Sequence, residues 1–271
     1  MSLKIHPTAM ISEGAKLGAD CEIGASVIIG PDVTLGDRCV VQAHAVIEGH
    51  TTVGAENFFG YGAIIGAPPQ DYAYRGTFRT EVIIGEKNIF REYVTIHRGT
   101  KDGTATIIGD NCMLMVGAHM GHNSHIGNKV IIANNCLLAG YVDVGDGCVL
   151  GGGSVYHQFL RVGRYAMVRG GTGFSKDIPP FLTTGVPNTV TGLNAIGLKR
   201  AGFSLEARKE VKAAYRAVFR SGLNVSESLA AARSKREWGP EATYFFDFIA
   251  GSKRGICSAS YGRSEEGSEE S

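Results

Sequence analysis

The stretch Ile108 to Leu150, IGDNCMLMVGAHMGHNSHIGNKVIIANNCLLAGYVDVGDGCVL, places an aliphatic side chain at every sixth position without a miss: Ile108, Leu114, Met120, Ile126, Ile132, Leu138, Val144 and Leu150. Gly109, Gly127 and Gly145 each follow the first member of a group of three, so the full motif returns every eighteen residues. A period of six matches neither the 3.6 of a helix nor the alternation of a half-buried strand. It predicts a solenoid shaped as a prism, each coil made of three short flat strands with one aliphatic rung per face pointing inward. One coil then consumes eighteen residues, and residue n lies beneath n+18 at the strand spacing of about 4.8 Å.

The same beat extends outward in both directions. Upstream it runs from Ile5 through Ile11, Leu17, Ile23, Ile29, Leu35, Val41, Ile47, Val53 and Phe59 to Ile65. It breaks for an insertion at 67–80, resumes out of phase at Ile84, Phe90 and Ile96, and breaks again for a second loop at 98–106. Downstream come Tyr156, Val162 and Val168, after which Pro179 and Pro180 remove ladder donors and are expected to close the prism near residue 188. Cys21, Cys39, Cys112, Cys136 and Cys148 all fall four places after a rung, where Ala stands in other repeats. That regularity predicts buried free thiols acting as small hydrophobes. No CxxC spacing points to zinc or redox work.

From Asn194 the pattern becomes helical. Ser204 is a good N-cap for a helix from Leu205 to about Arg220, with Gly222 as its stop, and a second helix is expected after Ser226. A third carries Tyr244, Phe245, Phe246, Phe248 and Ile249, read as packing aromatics. These helices make a C-terminal domain over 189–254, and the Ser, Gly and Glu composition of 255–271 reads as a flexible acidic tail. Net charge is +1, so no global field points to nucleic acid; without the four Glu of Ser264 to Ser271 the body stands at +5, mildly basic and suited to an acidic partner. No apolar run is long enough to span a membrane and no leader precedes the repeats, so a reducing cytoplasm is the expected location.

The ruler of eighteen also builds a candidate site. His119, His122, Asn123 and His125 interrupt the clean run, and one coil above His122 lies Gly140, with Gln158 above that and His157 beside it. The same step carries Asn123 to Tyr141. An imidazole beneath a residue with no side chain suits a general base next to a backbone N–H that can hold an oxyanion. Asn123 is placed to accept from the imidazole and fix its tautomer. The plainer reading of His122 is a surface or interface histidine. Zinc is not expected, because His97, His119, His122 and His125 stand at different points of the repeat and three nitrogens must converge to about 2.0 to 2.1 Å from one ion.

These residues sit within longer motifs: PQD at Pro69 to Asp71, TIHRGT at Thr95 to Thr100, LAG at Leu138 to Gly140, VYHQF at Val155 to Phe159, DIPPF at Asp177 to Phe181, and LNAIGLKRAGFS at Leu193 to Ser204. With them the chain resembles the UDP-N-acetylglucosamine O-acyltransferases, hexapeptide-repeat acyltransferases of lipid A biosynthesis, from Ile5 to about Ile249. The resemblance implies an all-β solenoid, a left-handed parallel β-helix with a helical cap, assembled as a homotrimer with sites between subunits. It implies transfer of an (R)-3-hydroxyacyl chain from acyl carrier protein to the 3-hydroxyl of UDP-N-acetylglucosamine, with no cofactor. His122 matches the base and Gly140 the oxyanion donor. Gln70, Asp71, Tyr141, His157 and Gln158 fall at sugar or nucleotide contacts, Asn194 and Arg200 at nucleotide contacts near the cap, and Gly170 at the acyl-chain ruler.

Three positions depart from the family pattern. Asn123 stands where an Asp is usual, Ala73 where a Lys is usual, and Tyr141 where a His is usual. Two other readings follow: the same chemistry on a different sugar such as the 3-amino analogue, or a non-catalytic protein that binds nucleotide sugar or carrier protein.

Overall fold

In a computed structural model, which describes residues 3–259, three sheets of twelve, nine and eight strands, parallel but for one pair at the end of the first, wrap one core. The pairing register is the one the repeat demands. Met113, Ile131, Val149 and Met167 stack on the first face, His119, Leu137, Val155 and Gly173 on the second, and Ile107, His125, Asp143 and Arg161 on the third. The chain forms a left-handed parallel β-helix. Every rung from Ile23 to Val168 is buried, and Phe59 stacks on Phe90 with ring centroids 5.0 Å apart.

Glycine has a different job here from turning the corners. The corner residue, three places after a rung, takes the left-handed conformation, and it is mostly not glycine: Asp20, Arg38, Glu56, Asn111, Asn123, Asn135, Tyr141 and Phe159 all have φ between 54° and 63°. Each costs about 1 kcal/mol or more in isolation, a cost that the stacked coils on either side must offset. The glycine directly after the rung is required by close approach instead. A Cβ on Gly54 would lie 2.7 Å from Gly85 O, and one on Gly109 2.8 Å from Gly127 O.

The two insertions lie between Ile64–Ala67 and Glu81–Ile84, and between Thr95–His97 and Ala105–Ile108. They clasp each other: Gly103 N–H donates to Arg79 O at 3.0 Å, and Arg79 N–H to Asp102 Oδ1 at 3.0 Å. Arg98 anchors both, donating from Nη1 to Gly66 O at 2.7 Å while its guanidinium lies over the Tyr74 ring. These insertions lengthen their coils, so partners there stand 31 and 24 residues apart rather than eighteen.

The prolines do not end the prism. Gly163 N–H still donates to Ile178 O and Phe181 N–H to Arg164 O, so the coil continues through Pro179 and Pro180. They occupy a corner, where no ladder donor is needed, and Pro180 lies against Gly163. Closure comes from Leu182–Thr184, which pairs with Met167 and turns back antiparallel onto Thr189–Leu193. Four helices follow: α1 Ala195–Arg200, α2 Leu205–Phe219, α3 Val225–Lys235 and α4 Pro240–Ala250. Ser204 caps α2 by accepting from Ala207 N–H. Helix α3 begins one residue before Ser226, because the Asn224 carboxamide accepts from Glu227 N–H and so sets its first turn. The α4 aromatics pack as expected: Phe245 and Phe246 are fully buried, and Trp238 meets Phe246 edge-on.

Residues 255–259 are not tail. Ile256 and Cys257 are buried, and Ser258–Ala259 pairs with Thr189 and Val190, because an apolar pair follows Gly255 and finds the end of the core. The acidic run itself lies outside the described residues. Buried Asp177 ties this segment, the prism and the helices together. Its carboxylate accepts from Arg161 N–H at 2.9 Å and Ser252 Oγ at 2.8 Å, and Cys257 N–H donates to its carbonyl.

Candidate active site

His122, Gly140 and Gln158 occupy the same corner of three successive coils. Tyr141 N–H donates to His122 O at 2.9 Å, and Phe159 N–H to Gly140 O at 3.1 Å, so the corners stack directly. The imidazole rises into the space a side chain at position 140 would fill: a Cβ built on Gly140 lies 2.6 Å from His122 Nε2. Tyr141 covers the imidazole edge-on, with ring centroids 5.4 Å apart, and itself stacks on Phe159 at 4.7 Å.

The hydrogen bonds around Asn123 fix which nitrogen of His122 is basic. Asn123 is almost fully buried, and its Oδ1 accepts from Thr100 N–H at 3.1 Å and from Thr100 Oγ1 at 2.9 Å. A backbone N–H can only donate, so the atom it faces is the carboxamide oxygen. The same oxygen lies 3.0 Å from His122 Nδ1, which must therefore carry the ring proton. Nε2 is left with its lone pair, facing Gly140.

Gly140 N–H makes no hydrogen bond within the described residues, although Gly140 is buried. The corresponding N–H on the third face is satisfied from the coil above: Ala19 N–H by Asp37 Oδ1, Asp110 N–H by Asn128 Oδ1, and Asn128 N–H by Asp146 Oδ1. Above Gly140 stands Gln158, which does not reach back. Gly140 lines the open cavity at this corner, so its N–H is available to an oxygen placed there.

A cavity of about 440 Å³ opens at this corner, lined by Gln70, His97, His119, His122, Gly140 and Gln158 among others. His97 and His119 belong to the wall, a role the spacing did not reveal. His97 Nδ1 lies 2.6 Å from Pro68 O, which it must donate to, and His119 Nδ1 lies 2.8 Å from Thr95 Oγ1. Burial lowers both: His97 below its ordinary range, and His119 to about 4, with His97 a second cause for the latter. Both rings are neutral near pH 7. His125 is exposed on the third face and stands apart from the three cavity histidines.

The remaining residues divide into two groups. Gln70 and Gln158 line the cavity, and Tyr141 sits on its base through the Thr100 hydroxyl, 3.1 Å from its own. Asp71 is in the first insertion, where its carboxylate accepts from Ala73 N–H. His157 is on the rim. Asn194 and Arg200 stand elsewhere: Asn194 caps α1 by accepting from Gly197 N–H and donates to Tyr165 O, on a different corner of the prism, and Arg200 is exposed at the end of α1. Gly170 lies on the coil above Gly152, whose carbonyl would be 2.6 Å from a Cβ there.

Comparisons with known proteins agree on one family. Residues 177–257 match the family described as Udp N-acetylglucosamine O-acyltransferase, domain 2, and residues 14–49 and 105–140 match the bacterial transferase hexapeptide. A Burkholderia orbicola protein named acyl-[acyl-carrier-protein]--UDP-N-acetylglucosamine O-acyltransferase is 44% identical over 259 residues, covering 93% of this chain and 98% of that protein. One of the same name from Anaeromyxobacter sp. strain K is 43% identical, covering 94% and 99%. Among solved structures, a UDP-N-acetylglucosamine acyltransferase from Bacteroides fragilis is 40% identical with a TM-score of 0.88, covering 93% of this chain and 99% of that one. An Arabidopsis UDP-N-acetylglucosamine acyltransferase is 31% identical with a TM-score of 0.83, covering 94% and 100%.

Proposed function

Because the chain belongs to the UDP-N-acetylglucosamine O-acyltransferase family, we propose that His122 and Gly140 carry out its reaction, with the base on one coil and the oxyanion donor on the next. The protein is an enzyme that moves an acyl group from acyl carrier protein onto UDP-N-acetylglucosamine, in lipid A biosynthesis. In the proposed step His122 Nε2 takes the proton of the sugar 3-hydroxyl as its oxygen attacks the thioester carbonyl. The tetrahedral oxyanion is held by Gly140 N–H. Collapse breaks the C–S bond, and the proton on Nε2 passes to the departing thiolate. The observation that carries this reading is the pairing of a lone-pair Nε2 with an N–H that has no hydrogen bond among the described residues and belongs to a cavity-lining glycine, one rung apart. Purified protein with UDP-N-acetylglucosamine and hydroxyacyl carrier protein should turn over, and His122→Ala should lose orders of magnitude of kcat; retained turnover would end the assignment.

Gln70, Asp71, Tyr141, His157 and Gln158 are assigned to the sugar nucleotide, and an (R)-3-hydroxyacyl chain to the outward strip of the second face. Leu137 and Val155 are both 43% exposed there, and Gly173 follows them. Gly170 is assigned the end of that groove, where a missing side chain favours a long acyl chain. Asn194 and Arg200 are too far around the prism to serve the cavity of their own chain, which supports a homotrimer in which a neighbouring copy supplies them. A cytoplasmic location fits six cysteines that are all free and buried, and no helix among the described residues is long and apolar enough to cross a membrane.

Tyr141 and Ala73 favour one rival worth testing, acylation of the 3-amino analogue of the same sugar nucleotide. Relative kcat/KM on the two acceptors decides between them. The non-catalytic reading is disfavoured, because Asn123 keeps the hydrogen bond that orients His122.

A further inference from the structure

The last described segment of the chain returns to the catalytic corner. Arg254 is half-buried there, with Nε donating to Ser175 O at 3.1 Å and Nη2 lying 3.1 Å from His157 Nδ1. Ser175 stands one coil above His157, and Lys176 one coil above Gln158, so the column His122, Gly140, Gln158 continues upward to a lysine. Neither Arg254 nor Lys176 is ion-paired among the described residues. The neighbouring carboxylate, Asp177, is buried and already engaged by Arg161 and Ser252. Exposed Lys253 adds a further positive charge.

Arg254 also decides the state of His157. A guanidinium can only donate, so Nδ1 must accept, and the ring proton moves to Nε2. The Gln158 carbonyl, also 3.1 Å from Nδ1, asks for the opposite tautomer. The charged donor prevails because charge-assisted hydrogen bonds are about twice as strong as neutral ones. His157 is thereby held as a donor through Nε2.

We propose that Arg254 is a positioning residue that presents His157 Nε2–H to the diphosphate of the sugar nucleotide, and that Lys176 and Arg254 together supply the positive field of that subsite. The inference rests on the family reading above and extends it to two residues. Its geometry selects between the two phosphates in the reaction. Lys176 stands two rungs above Gly140, about 10 Å from the oxyanion donor. A hexose ring and its attached diphosphate fit that span, whereas the donor's phosphate lies at the far end of a pantetheine arm, well beyond it.

The test compares wild type with Arg254→Ala, Arg254→Lys and Lys176→Gln. Affinity for UDP and for uridine is measured without acyl donor, and KM for each substrate is then measured in turnover. Arg254→Ala should weaken UDP about tenfold or more, Lys176→Gln severalfold, and neither should change uridine. Arg254→Lys should restore part of the UDP affinity through charge. KM for the sugar nucleotide should rise while kcat and KM for the acyl carrier protein stay near wild type. Equal losses for UDP and uridine, an unchanged UDP affinity in both charge-removing variants, or a rise confined to the donor's KM would each overturn the proposal. Wild type that fails to bind UDP at all would instead overturn the assignment of this corner to the sugar nucleotide, so the two failures are distinct. Lys176→Gln alters only an exposed side chain, which keeps the test valid if Arg254→Ala unfolds.

Discussion

His122 fills the space that a side chain at Gly140 would need: any Cβ there would meet three atoms of the imidazole at under 3 Å. Glycine leaves the imidazole that place, and is not demanded by backbone conformation, since position 140 does not have a positive φ. Gly140→Ala should displace the imidazole and lower kcat by about a hundredfold or more, the scale of losing one oxyanion contact. Circular dichroism and melting temperature should stay near wild type, because the neighbouring coils keep their own ladders. Steady-state kinetics with both substrates saturating is the measurement, and near-normal kcat would sink the geometry.

Asn123 gives His122 orientation without charge. An Asp there would accept the same hydrogen bonds from His122 Nδ1 and both Thr100 donors, and would add a negative charge 3.0 Å from the ring. That charge favours imidazolium, so Asn123→Asp should move the acid limb of kcat/KM to higher pH. Asn123→Ala removes the oxygen that fixes the tautomer and should lower kcat tenfold or more without moving the limb upward. A pH profile of the three proteins checks both, and an acid limb in Asn123→Asp at or below that of wild type would contradict the assignment.

Much of this site was legible because one coil takes eighteen residues. Wherever that count holds, as from His122 to Gly140 to Gln158, neighbours can be named from the sequence. It fails where insertions lengthen a coil. Thr100 meets Asn123 at a separation of 23 and Tyr141 at 41, and Thr95 meets His119 at 24, so the hydroxyl that steadies Asn123 and the place of two wall histidines were hidden. Arg254 reaches His157 across 97 residues, through a turn after α4 that no repeat encodes. The corners carry no fixed residue for a physical reason too: stacked coils impose left-handed φ on Asn, Asp and aromatic residues, and leave glycine for the places where backbones nearly touch.

Gly170 offers a test of chain-length selection. A Cβ at this exposed position would lie 2.6 Å from Gly152 O, so a side chain here must shift the backbone of the corner that leads into the strip carrying Val155 and Gly173. Gly170→Met should shift preference to shorter hydroxyacyl chains, with the kcat/KM ratio between long and short donors falling tenfold or more, since each lost methylene contact is worth about 1 kcal/mol. Carrier proteins loaded with a graded series of chains report this. An unchanged optimum would remove Gly170 from the groove.

His119 links the cavity to acid stability. Burial, then the nearby His97, holds its folded-state value at about 4, against 6.5 for an ordinary histidine. Between those two values the unfolded chain binds a proton that the folded chain refuses, so stability rises with pH across that window and is lost as pH falls from 6.5 toward 4. The full effect is about 3 kcal/mol at most, most of it present by pH 4.5. His97, shifted in the same direction, adds to it. His119→Gln removes the group that must charge on unfolding, so urea unfolding at pH 7 and pH 4.5 should show a smaller acid-side loss in the variant than in wild type. Equal losses would mean that His119 takes up its proton in the folded state without penalty.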